Sequence, residues 1–184
     1  MEEMRKDIDK IIVSTEDITK KVGEISQKLI ADYKEKDVTS VAILNGRLVF
    51  LSDLIRQIPF SMRLDTIGAD TYGSQTFPKA ETRLLNSLKL DIQDRDVLVI
   101  DDIIDTGKTL KKVIEDINRY KPRSLKTCVL LNRSHRRQVE LEPDYCGFQI
   151  GDEFVVGYGL DFNNCYRNLP YIAILEPDGG RESR

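Results

Sequence analysis

The stretch of the chain best suited to chemistry spans residues 97–110, VLVIDDIIDTGKTL. An apolar run of strand length, 97–100, delivers two adjacent carboxylates, a third acid and then a Thr-Gly-Lys-Thr sequence where a helical pattern opens. Acidic side chains beside a phosphate repel it unless they bind a metal ion or accept protons from hydroxyl groups. The stretch therefore predicts a ligand that carries phosphate together with either Mg²⁺ or sugar hydroxyls.

The Thr-Gly-Lys-Thr sequence is suited to hold that phosphate. The peptide N–H groups of Thr106, Gly107, Lys108 and Thr109 lie at a predicted helix N-terminus, where free backbone donors favour an anion. Gly107 has no side chain, so the backbone can approach the phosphate closely. Ligands of open α/β sheets bind outside the carboxyl ends of the strands, where this loop is expected to lie.

Two other phosphate-handling families have similar local sequences, and both fit poorly. Paired acids after a strand also open receiver domains, but there the pair lies near the N-terminus, whereas Asp101 is preceded by 100 residues. A P-loop requires Gly-x-x-x-x-Gly-Lys-Ser/Thr, and Asp102 stands where the first glycine is needed. Neither family explains the stretch.

The elements that must position this loop follow from the hydrophobic periodicity. The predicted helices are 14–33, 48–58 and 109–120, and the predicted strands are 41–44, 62–68, 82–85, 97–100, 125–131, 145–150, 154–156 and 172–175. The polar stretch 69–81 shows neither period and is predicted to be a functional or mobile loop. Strands that alternate with helices predict an α/β fold, with a parallel sheet covered on both faces.

Composition narrows the class of protein. A length of 184 residues predicts one domain over 1–184, with a flexible polar tail at 178–184. The 28 Lys and Arg against 31 Asp and Glu give a net charge of −3, which argues against a nucleic-acid-coating protein. Three scattered cysteines predict a reducing compartment. Without an apolar leader or membrane-spanning run, the sequence predicts a cytoplasmic protein with no membrane partner.

Residues 101–109, DDIIDTGKT, resemble the phosphoribosyl pyrophosphate (PRPP) motif of type I phosphoribosyltransferases. A second block, DEFVVGYGLD at 152–161 followed by YRNLP at 166–170, is similar to the C-terminal signature of hypoxanthine-guanine phosphoribosyltransferases. Thr71-Tyr72-Gly73 resembles the mobile catalytic loop of that family, and Leu44-Asn45-Gly46 resembles its pyrophosphate loop. The blocks occur in the family's order over about residues 10–176.

The resemblance implies a parallel-sheet core flanked by helices, with a small hood built from the N-terminal and C-terminal segments. It also implies a purine-salvage transferase, which moves the 5-phosphoribosyl group from PRPP to hypoxanthine or guanine and releases IMP or GMP and pyrophosphate. Mg²⁺ is the implied cofactor. The implied assembly is a homodimer or homotetramer, without a nucleic-acid partner.

The resemblance also assigns roles to individual residues. Asp105 would accept the proton from purine N7, which builds the nucleophile at N9. The 5′-phosphate would be held by Thr106, Gly107, Lys108 and Thr109, and the pyrophosphate by Asn45, Gly46, Thr71, Tyr72 and Arg167. The ribose hydroxyls and one Mg²⁺ would be bound by Asp101 and Asp102, and a second Mg²⁺ by Asp161. The purine would be bound by Arg133, Phe154 and Val155. By residue type alone, Phe154 suits a core, and Asp161 and Arg167 suit a surface.

Three positions depart from the family pattern. Asp101 is one methylene shorter than the usual Glu. Arg133 stands where the family places a Lys that donates to purine O6, and the two side chains differ in reach and geometry. Arg47 follows Gly46, where small residues are common, and it either helps to hold pyrophosphate or is a surface charge.

Two other functions stay open at this point. A catalytically weak paralogue could bind PRPP or a nucleotide as a regulator, and Arg133 is the feature that favours it. An enzyme of the same class could instead use xanthine, adenine or a pyrimidine, although block 154–161 disfavours the last two. The lone His135 is predicted to lie in a solvated loop or a subunit contact, so a Ser-His-Asp triad is poorly supported.

Overall fold

The computed structural model describes residues 8–44, 46–72 and 81–175. In these ranges the helices are α1 (Thr15–Tyr33), α2 (Leu48–Ile55) and α3 (Lys108–Asn118), with a short 3₁₀ helix at Ser134–Arg136. The strands are β1 (Ile8–Val13), β2 (Val38–Leu44), β3 (Arg63–Tyr72), β4 (Glu81–Leu84), β5 (Asp96–Ile104), β6 (Ser124–Asn132), β7 (Tyr145–Gln149), β8 (Val155–Val156) and β9 (Ile172–Leu175). Across the same ranges, no helix is both long and apolar enough to cross a membrane.

The main sheet has six strands in the order β4-β3-β2-β5-β6-β7. Five of these strands are parallel to one another, in the order β3-β2-β5-β6-β7, and β4 pairs antiparallel with β3 at the edge. The predicted α/β fold with a parallel core is therefore confirmed. Strand β5, which carries the acidic motif, lies inside the sheet between β2 and β6.

Alternate side chains of the inner strands point to opposite faces of the sheet and build two separate cores. In β5, Leu98 and Ile100 pack with the apolar residues of α1 and α2, whereas Val97 and Val99 pack with those of α3. All four side chains are almost fully buried. Burial on both faces explains why this strand is a continuous apolar run rather than an alternating pattern.

Two helices follow the sequence prediction closely, and one ends early. Ser14 caps α1 by accepting a hydrogen bond from the Asp17 backbone N–H at 3.1 Å. The prediction that the second helix reaches residue 58 is wrong, because α2 ends at Ile55. Ile58 donates to the carbonyl of Ile55 in a tight turn, and Pro59 disfavours helical backbone at the residue before it.

The prediction of an irregular stretch over 69–81 is wrong at both of its ends. Strand β3 continues to Tyr72 and β4 begins at Glu81, so the two form an antiparallel pair that runs from Ala69 opposite Leu84 to Tyr72 opposite Glu81. Backbone pairing holds these residues in strands without the apolar alternation that the prediction requires. Residues 73–80, like the predicted tail 178–184, lie outside the described ranges.

The N-terminal and C-terminal segments form a second, three-stranded antiparallel sheet in the order β1-β9-β8. This is the small hood that the family resemblance implies. The sequence analysis missed β1, because the pairing register shifts between Ile8 and Lys10 and again between Ile11 and Val13. Each irregularity interrupts the two-residue period on which strand prediction depends.

Helix α2 carries two leucines in opposite environments, which gives a matched test of the core. Leu54 is fully buried against α1 and the sheet, whereas Leu48 is 51% exposed. We expect Leu54→Ala to lower the free energy of unfolding by about 2–5 kcal/mol, because it leaves a cavity. Leu48→Ala should change it by less than about 0.5 kcal/mol. Urea unfolding measures both, and equal losses would contradict this assignment of the core.

Candidate active site

Three neighbouring parallel strands, β2, β5 and β6, end at the same edge of the sheet. The loops that follow them carry Gly46 and Arg47, then Asp105, then Arg133. A cavity of about 370 Å³ lies over this edge. Its position agrees with the general rule that ligands of α/β sheets bind at the carboxyl ends of the strands.

The cavity brings together residues that are far apart in the sequence. Its lining includes eight of the predicted site residues, namely Gly46, Asp102, Asp105, Arg133, Phe154, Val155, Asp161 and Arg167. Apolar side chains that the sequence analysis did not select, such as Ile103 and Leu160, complete the walls. Their residue types fit an ordinary core, so no signal in the sequence separated them from it.

A smaller cavity of about 170 Å³ lies beside the first, over the start of α3. It is lined by Thr106, Gly107 and Thr109 of the predicted phosphate loop, together with Asp101 and Asp105. Gly107 is the N-cap of α3 and has φ +81°, a left-handed conformation that favours glycine. Lys108 is not among the described residues that line either cavity.

The segment after β6 supports the phosphate loop from behind, which the sequence analysis missed. Gln138 donates a backbone hydrogen bond to the Thr106 carbonyl at 3.0 Å. The Arg137 side chain packs against Gly107 and donates to the Asn132 side chain. Its Nε and Nη1 atoms are buried and have no hydrogen-bond partner within the described part of the chain.

The paired acids of the motif are buried against an arginine. Asp101 and Asp102 are 2% and 6% exposed, and Arg47 donates through Nε to Asp101 and lies 3.2 Å from an oxygen of Asp102. Its Nη1 donates to the Leu44 carbonyl at 3.0 Å. Burial raises the pKa of Asp101, and Arg47 opposes that rise. Burial also works against the charge of Arg47, but the two carboxylates outweigh it and raise its pKa.

The third acid of the motif, Asp105, is held by the arginine that replaces the family's lysine. Arg133 donates through Nη1 to Asp105 at 3.1 Å, through Nε to the Gly151 carbonyl at 2.9 Å, and through Nη2 to the Glu153 carbonyl at 2.7 Å. Arg133 is buried, whereas the Asp105 side chain is partly exposed. The Asp105 Oδ1 atom is itself buried and has no hydrogen-bond partner among the described residues.

One wall of the cavity comes from the hood. Val155 is buried and pairs with Ile174 of β9, which fixes the backbone of β8. Phe154, just before it, is about half exposed and meets the Phe162 ring edge to face at 5.6 Å. Phe154 is thus a cavity wall rather than the core residue that its type alone suggests.

Asp161 and Arg167 form an ion pair in the cavity wall, although their residue types suit an exposed surface. Their closest charged atoms are 2.8 Å apart, and each side chain is about one third exposed. Arg167 also donates to the Gly159 carbonyl at 2.7 Å, and Asp161 accepts a hydrogen bond from the Asn164 backbone N–H at 2.9 Å. This loop therefore points one carboxylate and one guanidinium at the cavity.

Some predicted site residues fall partly or wholly outside the description. Asn45 lies outside the described residues, and Thr71 and Tyr72 are described only as the backbone that ends β3. The described residues contain no group of three or more acidic, histidine or cysteine side chains placed to hold a metal ion. His135 is exposed and contacts Asp152 at 2.7 Å, on the surface as predicted.

Comparison with known proteins identifies relatives of this site. Residues 10–163 match the family model described as the phosphoribosyl transferase domain. The chain is 38% identical to the hypoxanthine-guanine phosphoribosyltransferase of Bacillus subtilis, over 95% of this chain and 97% of that protein. It is also 38% identical to the bifunctional protein TilS/HprT of Listeria monocytogenes, where 96% of this chain spans only 27% of the longer protein.

The fold is shared with the solved structure of another similar protein. The crystal structure of a hypoxanthine phosphoribosyltransferase from Staphylococcus aureus superposes with a TM-score of 0.89. It is 39% identical in sequence, and the match covers 95% of each chain.

Close backbone contact between two loops of the cavity leads to a test of its construction. Gly159 has φ +99°, and a Cβ atom there would lie 2.1 Å from the Gly46 carbonyl oxygen. We expect Gly159→Ala to destabilise the fold by about 1–3 kcal/mol, because it adds a clash to a left-handed conformation. The control is Gly23→Ala in α1, where a Cβ has room and should stabilise by about 0.5–1 kcal/mol. Urea unfolding in which Gly159→Ala matches the wild type would contradict the contact.

Proposed function

The chain belongs to the phosphoribosyltransferase family, in its hypoxanthine-guanine branch, and we propose that it moves the 5-phosphoribosyl group of PRPP to hypoxanthine or guanine. The products would be IMP or GMP and pyrophosphate, as in purine salvage. The named relatives give no support to the alternative of a regulator that has lost its chemistry. The sequence spans little more than a quarter of the longest relative described above, so the activity of any larger protein is part of the proposal.

The observation that carries the proposal is the hydrogen bonding of the Asp105 carboxylate. One of its oxygens accepts from Arg133, while Oδ1 is buried without a partner among the described residues. Asp105 lines both cavities, so it lies between the phosphate loop and the wall that carries Phe154. A buried hydrogen-bond acceptor without a donor lowers the stability of the fold, and a purine N7–H would supply that donor. Taking this proton raises the electron density on N9, whose lone pair forms the new bond to ribose C1 as the bond from C1 to pyrophosphate breaks.

The two ends of PRPP match the two kinds of donor at the site. The backbone at Thr106–Thr109 opens α3 and would hold the 5′-phosphate through N–H groups and the helix dipole. Arg167 and Gly46, on facing loops of the larger cavity, would hold the pyrophosphate, with Asn45, Thr71 and Tyr72 assigned only by resemblance. A guanidinium suits this role because it binds phosphate oxygens in pairs.

The purine would lie in the larger cavity, between the hood and Arg133. Phe154 offers an exposed aromatic face for stacking, and the buried Val155 backbone borders the same space. Three N–H groups of Arg133 contact Asp105 and the carbonyls of Gly151 and Glu153. Arginine has five such donors, so these contacts leave two unused, and we propose that they donate to purine O6.

The acidic residues fit Mg²⁺ if the substrate completes its coordination. Mg²⁺ prefers oxygen ligands and is held in such sites by one or two carboxylates together with phosphates and water. Asp102 and Asp161 line the larger cavity, and Asp101 lines the smaller one. We propose that Asp101 and Asp102 hold one ion and Asp161 another. When bound, Mg²⁺ would neutralise charge on the leaving pyrophosphate.

Some properties stay predictions from the sequence alone. They are a single domain over 1–184, location in the cytoplasm and assembly into a homodimer or homotetramer.

The proposed activity is tested by offering hypoxanthine, guanine, xanthine and adenine separately to the purified protein with PRPP and Mg²⁺. Nucleotide formation from hypoxanthine or guanine is expected. Asp105→Asn keeps the shape but removes the base, so kcat should fall by about 10²–10⁴-fold. A matched control is Asp116→Asn, because Asp116 lies near the end of α3, pairs with the exposed Arg119 and is not among the described residues that line either cavity. No turnover of any base by the wild type would overturn the proposed function.

The role of Arg133 is tested by Arg133→Lys, which restores the family's residue. A lysine cannot reach three acceptors in one plane, so the links to Gly151 and Glu153 weaken. A lysine keeps a donor for purine O6 but holds the segment before Phe154 less firmly, so we expect the KM for hypoxanthine to rise about tenfold, with the KM for PRPP little changed. The control is Arg123→Lys, since Arg123 pairs with Asp96 at the opposite end of β5. An equal rise of both KM values would argue for general damage.

A further inference from the structure

The sequence left two roles open for Arg47, a contact to pyrophosphate and a surface charge. Its side chain is only 18% exposed, and it touches both buried acids of the PRPP motif. A surface charge is therefore excluded. Arg47 also borders both cavities, the larger one beside Asp102 and the smaller one beside Asp101.

Local structure does not account for an arginine at this point. Arg47 is the N-cap of α2, and its side chain makes no capping hydrogen bond. The positive end of a helix dipole disfavours a cation there. The charge is offset instead by Asp101 and Asp102, which would repel each other strongly in a buried site without it. Arg47 thus acts as an internal counter-ion for the acid pair.

The counter-ion conflicts with the proposed function, on which this inference rests. Asp101 and Asp102 are assigned to the ribose hydroxyls and Mg²⁺, but the guanidinium of Arg47 already contacts both. The incoming ligand also brings a pyrophosphate group, which competes with the carboxylates for the same guanidinium. One movement of a single side chain resolves both problems.

We propose that Arg47 is a displaceable counter-ion, which neutralises Asp101 and Asp102 in the free protein and transfers its guanidinium to the pyrophosphate group when PRPP binds. The carboxylates are then released to the ribose hydroxyls and the metal ion. The transfer breaks contacts to Asp101, Asp102 and the Leu44 carbonyl, and it leaves the protein backbone in place. Arg47 therefore couples arrival of the pyrophosphate to exposure of the acid pair.

The first half of the proposal is tested without substrate, with Mn²⁺ as the probe and electron paramagnetic resonance to count free ions. Arg47→Ser should increase Mn²⁺ affinity by about tenfold or more, because two buried carboxylates lose their internal cation. Arg47→Gln keeps a polar side chain that can donate hydrogen bonds but removes the charge, and it should show the same gain in Mn²⁺ affinity. Adding Asp101→Asn to Arg47→Ser should abolish the gain in Mn²⁺ affinity.

The second half is tested by calorimetric binding of PRPP in the absence of divalent metal. Arg47→Ser should weaken binding by about tenfold or more, since a charge-assisted contact to the pyrophosphate is lost. The matched control is Arg56→Ser, at the other end of α2, where the arginine is exposed and pairs with Asp53. It should alter neither Mn²⁺ nor PRPP affinity.

The two measurements move in opposite directions, which a merely structural residue would not produce. Unchanged Mn²⁺ affinity in both folded Arg47 variants would overturn the proposal that Arg47 is a counter-ion of the acid pair. A gain in Mn²⁺ affinity with unchanged PRPP binding would overturn the transfer. Failure of the wild type to bind PRPP would overturn the proposed function, and the Mn²⁺ experiment would still decide whether Arg47 neutralises the acid pair.

Discussion

The structure depends on how acidic side chains are kept at the end of an interior strand. Strand β5 lies between β2 and β6, so Asp101 and Asp102, near its carboxyl end, have neighbouring strands on both sides and little access to water. Buried charges need partners of opposite charge or hydrogen bonds. The backbone N–H groups of Asp102 and Ile103 supply part of this, and Arg47 supplies the cation. The residues in the loops of the adjacent strands are therefore constrained by the charge of these two acids as well as by packing.

A second set of polar contacts joins the hood to the main sheet. Arg133, at the end of β6, reaches two carbonyls in the turn that leads into β8, and the same guanidinium holds Asp105. The position of the proposed proton acceptor is thus linked to the position of the aromatic wall at Phe154. A lysine has no planar fork and cannot make this connection in the same way.

Two of the three departures from the family pattern place a guanidinium against a motif carboxylate. Arg47 faces Asp101 and Asp102, and Arg133 faces Asp105. The acids of the motif are thereby stabilised before any ligand arrives. The proposed substrate PRPP, a highly charged anion, would enter a site whose carboxylates are already balanced, which would lower the electrostatic barrier to binding.

Local sequence was enough to determine the fold class, helix α1, the inner strands and the position of the acidic motif at the start of α3. These features depend on apolar periodicity, capping residues and turn chemistry within a few residues of each other. The family resemblance added the hood and the second block. Neither approach predicted β1 or the paired ends of β3 and β4, because partner strands hold these residues in place. Only the tertiary structure decided what Arg47 and Arg133 contact. Their partners lie 54 and 28 residues away along the chain, and long-range ion pairs leave no periodic trace in a sequence.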